Sequence, residues 1–306
     1  MAIPRRDGLV VAGHGRHMFV ETPDGERVLC HPRGKKNQAV VGDRVWWLPS
    51  TDEGTIEAVQ PRRNLFYRQD ELRTKSFAAN LDQVLILMAA EPEFSESQLA
   101  RALIAAEAAG IRPVIALNKQ DLAAPFARAW ERMAPYRTMG YTVLPLALLP
   151  ATGPAATDPL LDAALAGKTT LVLGPSGVGK STLVNRLVPG ALAETQEISR
   201  ALNSGKHTTT HTSLYWVDAA RTTALIDSPG FQEFGLFHIE PMQLASCMPD
   251  FRVHVPECRF YNCSHLHEPG CGVISKVESG SGQHEISTNR YRIYSELFAE
   301  LSRKRY

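Results

Sequence analysis

Gly174-Pro175-Ser176-Gly177-Val178-Gly179-Lys180-Ser181-Thr182 decides how the rest of this sequence is read. The apolar run 169–173 before it reads as a buried strand, and 183–188 after it continues as a helix. Strand, glycine loop and helix in that order give a G-x-x-x-x-G-K-[ST] match its meaning. The glycines let successive backbone N–H groups converge on an anion, and the helix N-terminus adds partial positive charge behind them. Lys180 would reach the β- and γ-phosphates, and the Ser181 hydroxyl would ligate magnesium. The plain alternative is a glycine-rich turn carrying a solvated lysine. The flanking pattern favours a nucleoside triphosphate site.

Working outward, the 306 residues are too many for one ordinary core and suggest two or three domains. A net charge of +1 sets up no global field toward nucleic acid, so any such contact rests on local basic patches. The first residues lack the apolar core of a signal peptide, and no apolar run is long enough to cross a bilayer. The expectation is a cytoplasmic, reducing setting, without membrane contact. There, five cysteines point to thiols or metal ligands rather than disulfides.

Upstream, residues 8–68 read as closely spaced short strands with no helix between them, which suggests an OB-like barrel. Basic residues at Arg5, Arg6, Arg16, the 31–37 loop, Arg62 and Arg63 interleave with Phe19, Trp46, Trp47, Phe66 and Tyr67. Two readings stand open: an RNA surface with stacking platforms, or a barrel filled by a tryptophan with its charges merely solvated.

From about residue 78 strands alternate with helices, the pattern of a mostly parallel α/β sheet. The apolar run 83–90 reads as a strand covered on both faces. Ser95 and Gln98 predict a capping box opening a helix, with Leu99, Leu103 and Ala106 inward and Gly110 at its end. A strand over 111–117 delivers Asn118, Lys119 and Asp121 to its carboxyl end, where ligands bind in such sheets. A helix is predicted over 126–137, a strand over 141–146 and a short helix over 158–166. Guanine offers N1–H and an N2 amine on one edge. The Asp121 carboxylate would select it, with Asn118 as dual donor and acceptor. Joined to the phosphate loop, this motif specifies GTP.

Downstream, a threonine of Lys206-His207-Thr208-Thr209-Thr210 would close on magnesium and the γ-phosphate, with Thr209 the candidate. The strand 222–226 ends in Asp227-Ser228-Pro229-Gly230. Asp227 would hold magnesium through water, and the Gly230 amide would sense the γ-phosphate. Further on, Cys258, Cys263 and Cys271 stand close together with His265 and His267. Three thiolates and one imidazole complete a closed tetrahedral zinc site, structural because no position is left for water. A last helix, capped by Thr288, carries Ile293, Leu297 and Leu301 on one face and a basic end. That end is equally a solvated face or an RNA contact.

Asn118 precedes Gly174, the reverse of the order in ordinary small GTPases. With this order, the chain resembles the RsgA (YjeQ) family of circularly permuted GTPases of ribosome biogenesis over nearly its whole length. The resemblance is carried by Val41-Gly42-Asp43-Arg44-Val45, Asn80-x-Asp82-Gln83-Val84, residues 118–121, 174–182, 207–210 and 227–234, and the cysteine cluster. It implies an α/β architecture of three parts: an OB-fold RNA-binding domain over 1–70, a permuted phosphate-loop GTPase domain over 78–240, and a zinc-binding helical domain over 241–306. It also implies His265 rather than His267 as the fourth ligand of one zinc ion, magnesium with GTP, and the small ribosomal subunit and its rRNA as partner. A monomer is expected. Where the family usually shows a serine in the second base-contacting loop, this chain reads Leu146-Ala147-Leu148, so backbone amides are expected to serve there.

The chemistry expected is in-line attack of water on the γ-phosphate, with Lys180, magnesium and amides stabilising the charge. Phe231 stands where many GTPases place a water-orienting glutamine, and His207 is the candidate substitute. Slow intrinsic turnover activated by the ribosome follows. A small-molecule kinase is disfavoured by the guanine motif and the lack of an arginine-rich lid, and a silent RNA-binding factor by intact Lys180, Ser181 and Asp227. After Gly230 the chain is expected to leave the sheet directly for the C-terminal region.

Overall fold

The computed structural model describes residues 4–14, 17–34, 39–148, 158–191, 212–229, 234–277 and 285–303. His207, Thr209, Gly230, Phe231, the flanking threonines and the basic residues Arg16, Lys35, Lys36, Lys304 and Arg305 lie outside them.

Five strands build the N-terminal barrel: β1 (Arg6–His14), β2 (His17–Glu21), β3 (Arg27–Pro32), β4 (Arg44–Leu48) and β5 (Gly54–Val59). They pair in the order β1-β2-β3-β5-β4, and β4 pairs back onto β1, so the sheet closes and has no free edge. Alternation sends Val10, Val20, Cys30, Val45, Trp47 and Ile56 inward. Successive residues face opposite sides, so the two tryptophans divide. Trp47 is 1% exposed and donates its indole N–H to Asp7 O, whereas Trp46 is 41% exposed. The filler and the surface aromatic are thus neighbours in sequence.

The next strand, β6 (Leu65–Gln69), departs from the sequence expectation. It pairs with β7 (Thr74–Ala79) in a separate two-stranded sheet rather than joining the barrel. Phe66, one of the aromatics that could have served as a stacking platform, is fully buried against Phe77 and Phe234, at ring separations of 5.8 and 5.7 Å. An aromatic on an alternating strand reads the same in either place. The deciding partner, Phe234, lies far along the chain.

Six strands form the main sheet: β8 (Gln83–Ala89), β9 (Arg112–Asn118), β10 (Thr142–Pro145), β11 (Thr169–Leu173), β12 (Thr212–Trp216) and β13 (Ala224–Asp227). Their order is β10-β9-β8-β11-β13-β12, parallel except for β12. Every residue of β8 is buried, as its unbroken apolar run requires. The segment Asn80–Gln83 ties this strand in. Asp82 accepts from Thr169 N (2.8 Å), while Gln83 Nε2 donates to Ala164 O and Thr170 Oγ1 (2.9 and 3.0 Å).

Helix α1 (Glu96–Ala108) begins at Ser95, whose side chain accepts from Gln98 N, and Gly110 follows it at φ +64°. Its burial exceeds one stripe: Leu99, Ala100 and 102–106 are all covered, because the C-terminal region packs on the side away from the sheet. The helix expected over 126–137 is two, α2 (Ala123–Arg132) and α3 (Ala134–Thr138), broken at Met133. Pro135, lacking an N–H, cannot continue the ladder of α2. Two more helices, α4 (Pro159–Leu165) and α5 (Lys180–Leu187), flank β11.

The C-terminal region comprises short helical turns at Pro241–Cys247 and Pro249–Arg252, the cysteine loop and a helix Thr288–Leu301. The cap of that helix is Ser287, not Thr288. Ser287 is extended (ψ 150°) and accepts from Arg290 N, which leaves Thr288 inside the first turn. Arg290 and Asp250, each almost wholly buried, pair as a two-pronged fork at 2.9 and 2.8 Å.

Both flanking regions are joined to the main sheet. Strand β1 pairs antiparallel with β12 (Ala12↔Ser213, Gly13↔Thr212). The buried Glu21 of β2 accepts from Trp216 Nε1 (2.8 Å) and lies 3.4 Å from Arg221. Gly42 sits at φ +89°, where a Cβ would lie 2.2 Å from Ala79 O, so only glycine permits that contact between barrel and β7. On the other side, Arg101 of α1 pairs with Glu300 and donates to Phe234 O (3.2 Å).

Candidate nucleotide site and metal centre

Because β9, β11 and β13 run parallel, their carboxyl ends share one edge of the sheet, and Asn118, Gly174 and Asp227 stand there together. Reversing the order of motifs along the chain leaves this gathering intact.

The phosphate loop is held by backbone geometry. Gly177 and Gly179 lie at φ +81° and +105°, in the left-handed region that disfavours other residues. A Cβ on Gly174 would lie 2.3 Å from Leu87 O. The loop hands directly into α5, whose N-cap is Gly179 with no side-chain cap. The first-turn N–H groups of α5 therefore have no capping side chain and can serve an anion. Lys180 Nζ donates to Gly174 O and Pro175 O (2.8 and 2.7 Å), folded back over the loop, with Ser181 exposed beside it.

Across from the loop, Asp227 ends β13 and is 8% exposed. Burial pushes its carboxyl up to about 6, against the attraction of Lys180 and a hydrogen bond from Ser228 N–H. Burial likewise lowers Lys180, opposed by Asp227. Among the described residues Asp227 Oδ1 has no hydrogen-bond partner. A buried carboxylate oxygen without a donor, beside a phosphate loop and the Ser181 hydroxyl, fits a hard cation such as magnesium.

Asn118 does more than the sequence reading assigned. Its Nδ2 donates to Val178 O (2.9 Å) and its Oδ1 accepts from Leu148 N (3.1 Å). Both ends of the amide are engaged in stitching the phosphate loop to the loop after β10. Gly179 leaves no room for a side chain there, since its Cβ would come within 2.7 Å of Asn118 Nδ2. Lys119 adopts φ +69°, which turns the chain outward so that Asp121 is exposed at the same edge. Strain of this kind is held only where surrounding structure over-determines it. The carboxylate facing outward from the motif is Asp121.

In the C-terminal region, the ligand atoms of Cys258, Cys263, His265 and Cys271 all lie within 4.8 Å of one another. His265 Nδ1 is 3.5 Å from Cys258 Sγ and 3.4 Å from Cys271 Sγ, and those two sulfurs are 3.9 Å apart. A tetrahedron with zinc bond lengths has S–S edges of about 3.8 Å and S–N edges of about 3.5 Å. Cys258, His265 and Cys271 match it, and Cys263 completes the set within 4.8 Å. His267 is exposed and stands outside the cluster. His265 turns inward because its backbone adopts φ +60°.

Sequence reasoning missed the residues that support this loop. Glu268 Oε1 accepts from Ser264 N and Oγ (2.8 and 2.6 Å), and Oε2 accepts from Leu266 N and His267 N (3.2 and 3.3 Å). Burial would raise its carboxyl, but these donors hold it well below the usual range. From the last helix, Tyr291 Oη donates to His265 O (2.9 Å) and Tyr294 Oη to Ser264 O (2.8 Å). Only the i, i+4 spacing of Ser264 and Glu268 carried a local signal. The tyrosines read as ordinary core.

Comparison with known proteins agrees with this geometry. The family model described as RsgA GTPase matches residues 59–237. A protein of Variovorax paradoxus (strain S110), named small ribosomal subunit biogenesis GTPase RsgA, is 72% identical over 300 residues, covering 98% of this chain and 94% of its own. A protein of the same name from Paraburkholderia xenovorans (strain LB400) is 51% identical, covering 97% and 94%. Among solved structures, YjeQ from Thermotoga maritima superposes with a TM-score of 0.74 at 30% identity, over 98% of this chain and all of that one. YloQ, described as a circularly permuted GTPase, gives 0.69 at 28% identity, over 97% and 95%.

Proposed function

Because this chain belongs to the RsgA family of circularly permuted GTPases, we propose that it hydrolyses GTP to control its docking on the small ribosomal subunit during late maturation. The observation that carries the reading is Asp227. It is a buried carboxylate with an oxygen that has no partner among the described residues, near a phosphate loop that Asn118 fixes to the base side of the site. A silent nucleotide fold would have no need to keep that charge buried.

In this reading Lys180 leaves the two loop carbonyls to neutralise the β- and γ-phosphates, while the loop amides cradle the chain of oxygens. Gly174, Pro175, Ser176, Gly177, Val178, Gly179, Lys180, Ser181 and Thr182 line the phosphates. Asp121 reads the guanine edge, and Asn118 and Lys119 set its position. Ser181 and Thr209, with Asp227 behind them through water, would hold magnesium, which supplies charge neutralisation on the phosphates when bound. His207 would orient the attacking water, and Gly230 would report the γ-phosphate. Cys258, Cys263, His265 and Cys271 would hold one structural zinc ion that folds the C-terminal loop.

The domain assignment proposed is an N-terminal domain (1–70) whose barrel strands end at Val59, a GTPase domain (78–240) and a zinc-binding region (241–306). After residue 234 the chain meets the small hairpin: Gln69 N donates to Gly235 O (3.1 Å) and Phe237 N to Gln69 O (3.0 Å). These bonds lie on the separate β6–β7 hairpin and not on the main sheet, and they offer a route by which movement at Asp227 would reach the C-terminal region. The partner follows from the names of the relatives. Among the described residues no helix is long and apolar enough to cross a membrane.

Co-sedimentation with purified ribosomal subunits tests the docking. Retention on small subunits with a non-hydrolysable GTP analogue, and release with GDP, is the expected result. Equal binding to large subunits, or binding indifferent to nucleotide, would overturn it.

A further inference from the structure

The loop 146–148 closes the base side of the nucleotide site. Leu146 continues the β9–β10 pairing, accepting from Gln120 N (2.9 Å) and donating its own N–H to Leu117 O (2.8 Å). Ala147 and Leu148 follow outside any strand. The next peptide unit, Ala147 to Leu148, is nonetheless held at both ends. Its N–H, on Leu148, donates to Asn118 Oδ1 (3.1 Å), and its carbonyl, on Ala147, accepts from Arg186 Nη1 (3.1 Å).

A trans peptide is planar, with C=O and N–H pointing in opposite directions, so fixing the carbonyl aims the amide. The Asn118 amide is chemically ambiguous by itself, since its oxygen and nitrogen can exchange places by a flip. Leu148 N–H offers only a donor, which requires the oxygen on that side. The nitrogen then points at Val178 O, where it is found at 2.9 Å. One guanidinium at the end of α5 thereby sets the peptide plane, the plane sets Asn118, and Asn118 sets the phosphate loop. Arg186 lies in the last turn of the same helix whose first turn follows that loop.

We infer that Arg186 is a positioning residue for guanine recognition: by clamping the Ala147 carbonyl from the phosphate-loop helix, it makes the base loop and the phosphate loop one preorganised unit. The inference rests on the guanine-nucleotide reading of the site. It assigns Arg186 no contact with nucleotide. Its effect falls on affinity and base selection and not on the hydrolytic step, because preorganisation of the base side is shared by ground and transition states. A methionine preserves the packing of the stem but cannot donate.

The test compares the full-length protein with Arg186→Met and Arg186→Lys. Affinities are measured for GTP, GDP, ITP (which lacks the N2 amine) and ATP, together with kcat and KM for GTP. In Arg186→Met, loss of one charge-assisted hydrogen bond is expected to weaken GTP and GDP about tenfold and to narrow GTP-over-ITP preference, with kcat within about twofold. Arg186→Lys, which keeps a donor, is expected to recover most of the loss. A folded Arg186→Met with unchanged affinity and selectivity would overturn the inference, as would a fall in kcat at constant KM. If Arg186→Met does not fold, Arg186→Gln, whose shorter side chain leaves the Ala147 carbonyl unclamped, takes its place: reduced ITP discrimination at wild-type stability supports the inference, and full discrimination opposes it. Failure of the wild type itself to prefer guanine nucleotides would instead sink the reading on which the inference rests.

Discussion

The phosphate loop and the cysteine loop are both built to hold an ion, yet they are prepared for it by opposite means. The phosphate loop is shaped by its backbone. Two glycines at positive φ, a third pressed against Leu87 O, and the Asn118 amide bonded to Val178 O fix it with hardly any side chain inside. The cysteine loop depends on side chains. Four donors converge, and Glu268, Tyr291 and Tyr294 hold the turns that carry them. A site shaped by backbone stands ready in the folded protein. Four mutually close donor groups in a loop without its own strands need the metal to complete their fold. The phosphate loop is therefore suited to exchange its ligand and the cysteine loop to keep it.

That contrast breaks most visibly on metal removal. Stripping zinc with a strong chelator is expected to melt the C-terminal loop, since structural zinc contributes on the order of 10 kcal/mol in small zinc folds. Nucleotide affinity should survive. Thermal unfolding with and without chelator, alongside GTP binding, reads both, and metal analysis should return one zinc per chain. Simultaneous loss of GTP binding would show the two sites are not independent.

Next in size is the buried fork that joins the last helix to the turn Pro249–Arg252 ahead of the cysteine loop. Arg290→Met leaves Asp250 buried and unpaired, with an expected cost of about 3–5 kcal/mol by denaturant unfolding. The double change with Asp250→Leu should recover part of it. A cost below about 1 kcal/mol would mean the fork contributes little.

On the nucleotide side, Gly179→Ala places a methyl 2.7 Å from Asn118 Nδ2 at φ +105°. The expected loss of GTP affinity is about 100-fold, with the melting of the C-terminal region unchanged. Near-normal affinity would show that the loop is not backbone-determined.

The smallest effect concerns the segment joining the two regions. His238 lies against Tyr67, with ring centroids 4.5 Å apart and planes tilted by 42°, and burial holds its pKa below 6.5. The folded state therefore binds fewer protons than the unfolded chain. Its contribution to stability is full above pH 6.5 and is lost as pH falls through the folded pKa. His238→Phe should flatten the decline of stability between about pH 7 and 5, and an unaltered slope would remove His238 from the account.

Much of this was legible in the sequence because the decisive groups are local. Residues 174–182 and 118–121 each carry their chemistry within a few positions, and the three cysteines fall inside fourteen residues of one another. What was not legible depends on partners far along the chain. Phe66 alternates like a barrel residue, and only Phe77 and Phe234 assign it to the other core. The break of the 126–137 helix could have been read from Pro135, which cannot donate to the turn before it. The dual bonding of Asn118 and the reach of Arg186 to Ala147 follow from the sheet bringing three strand ends together, and no spacing rule encodes that.

The central claim is that a complete GTP site is gated by the small ribosomal subunit. The most direct test is steady-state GTP hydrolysis by the full-length protein alone, with small subunits and with large subunits. The account predicts slow turnover alone, strong stimulation by small subunits, none by large ones, and abolition of the stimulated rate in Lys180→Ala. Turnover indifferent to small subunits, or equally raised by large ones, would contradict it.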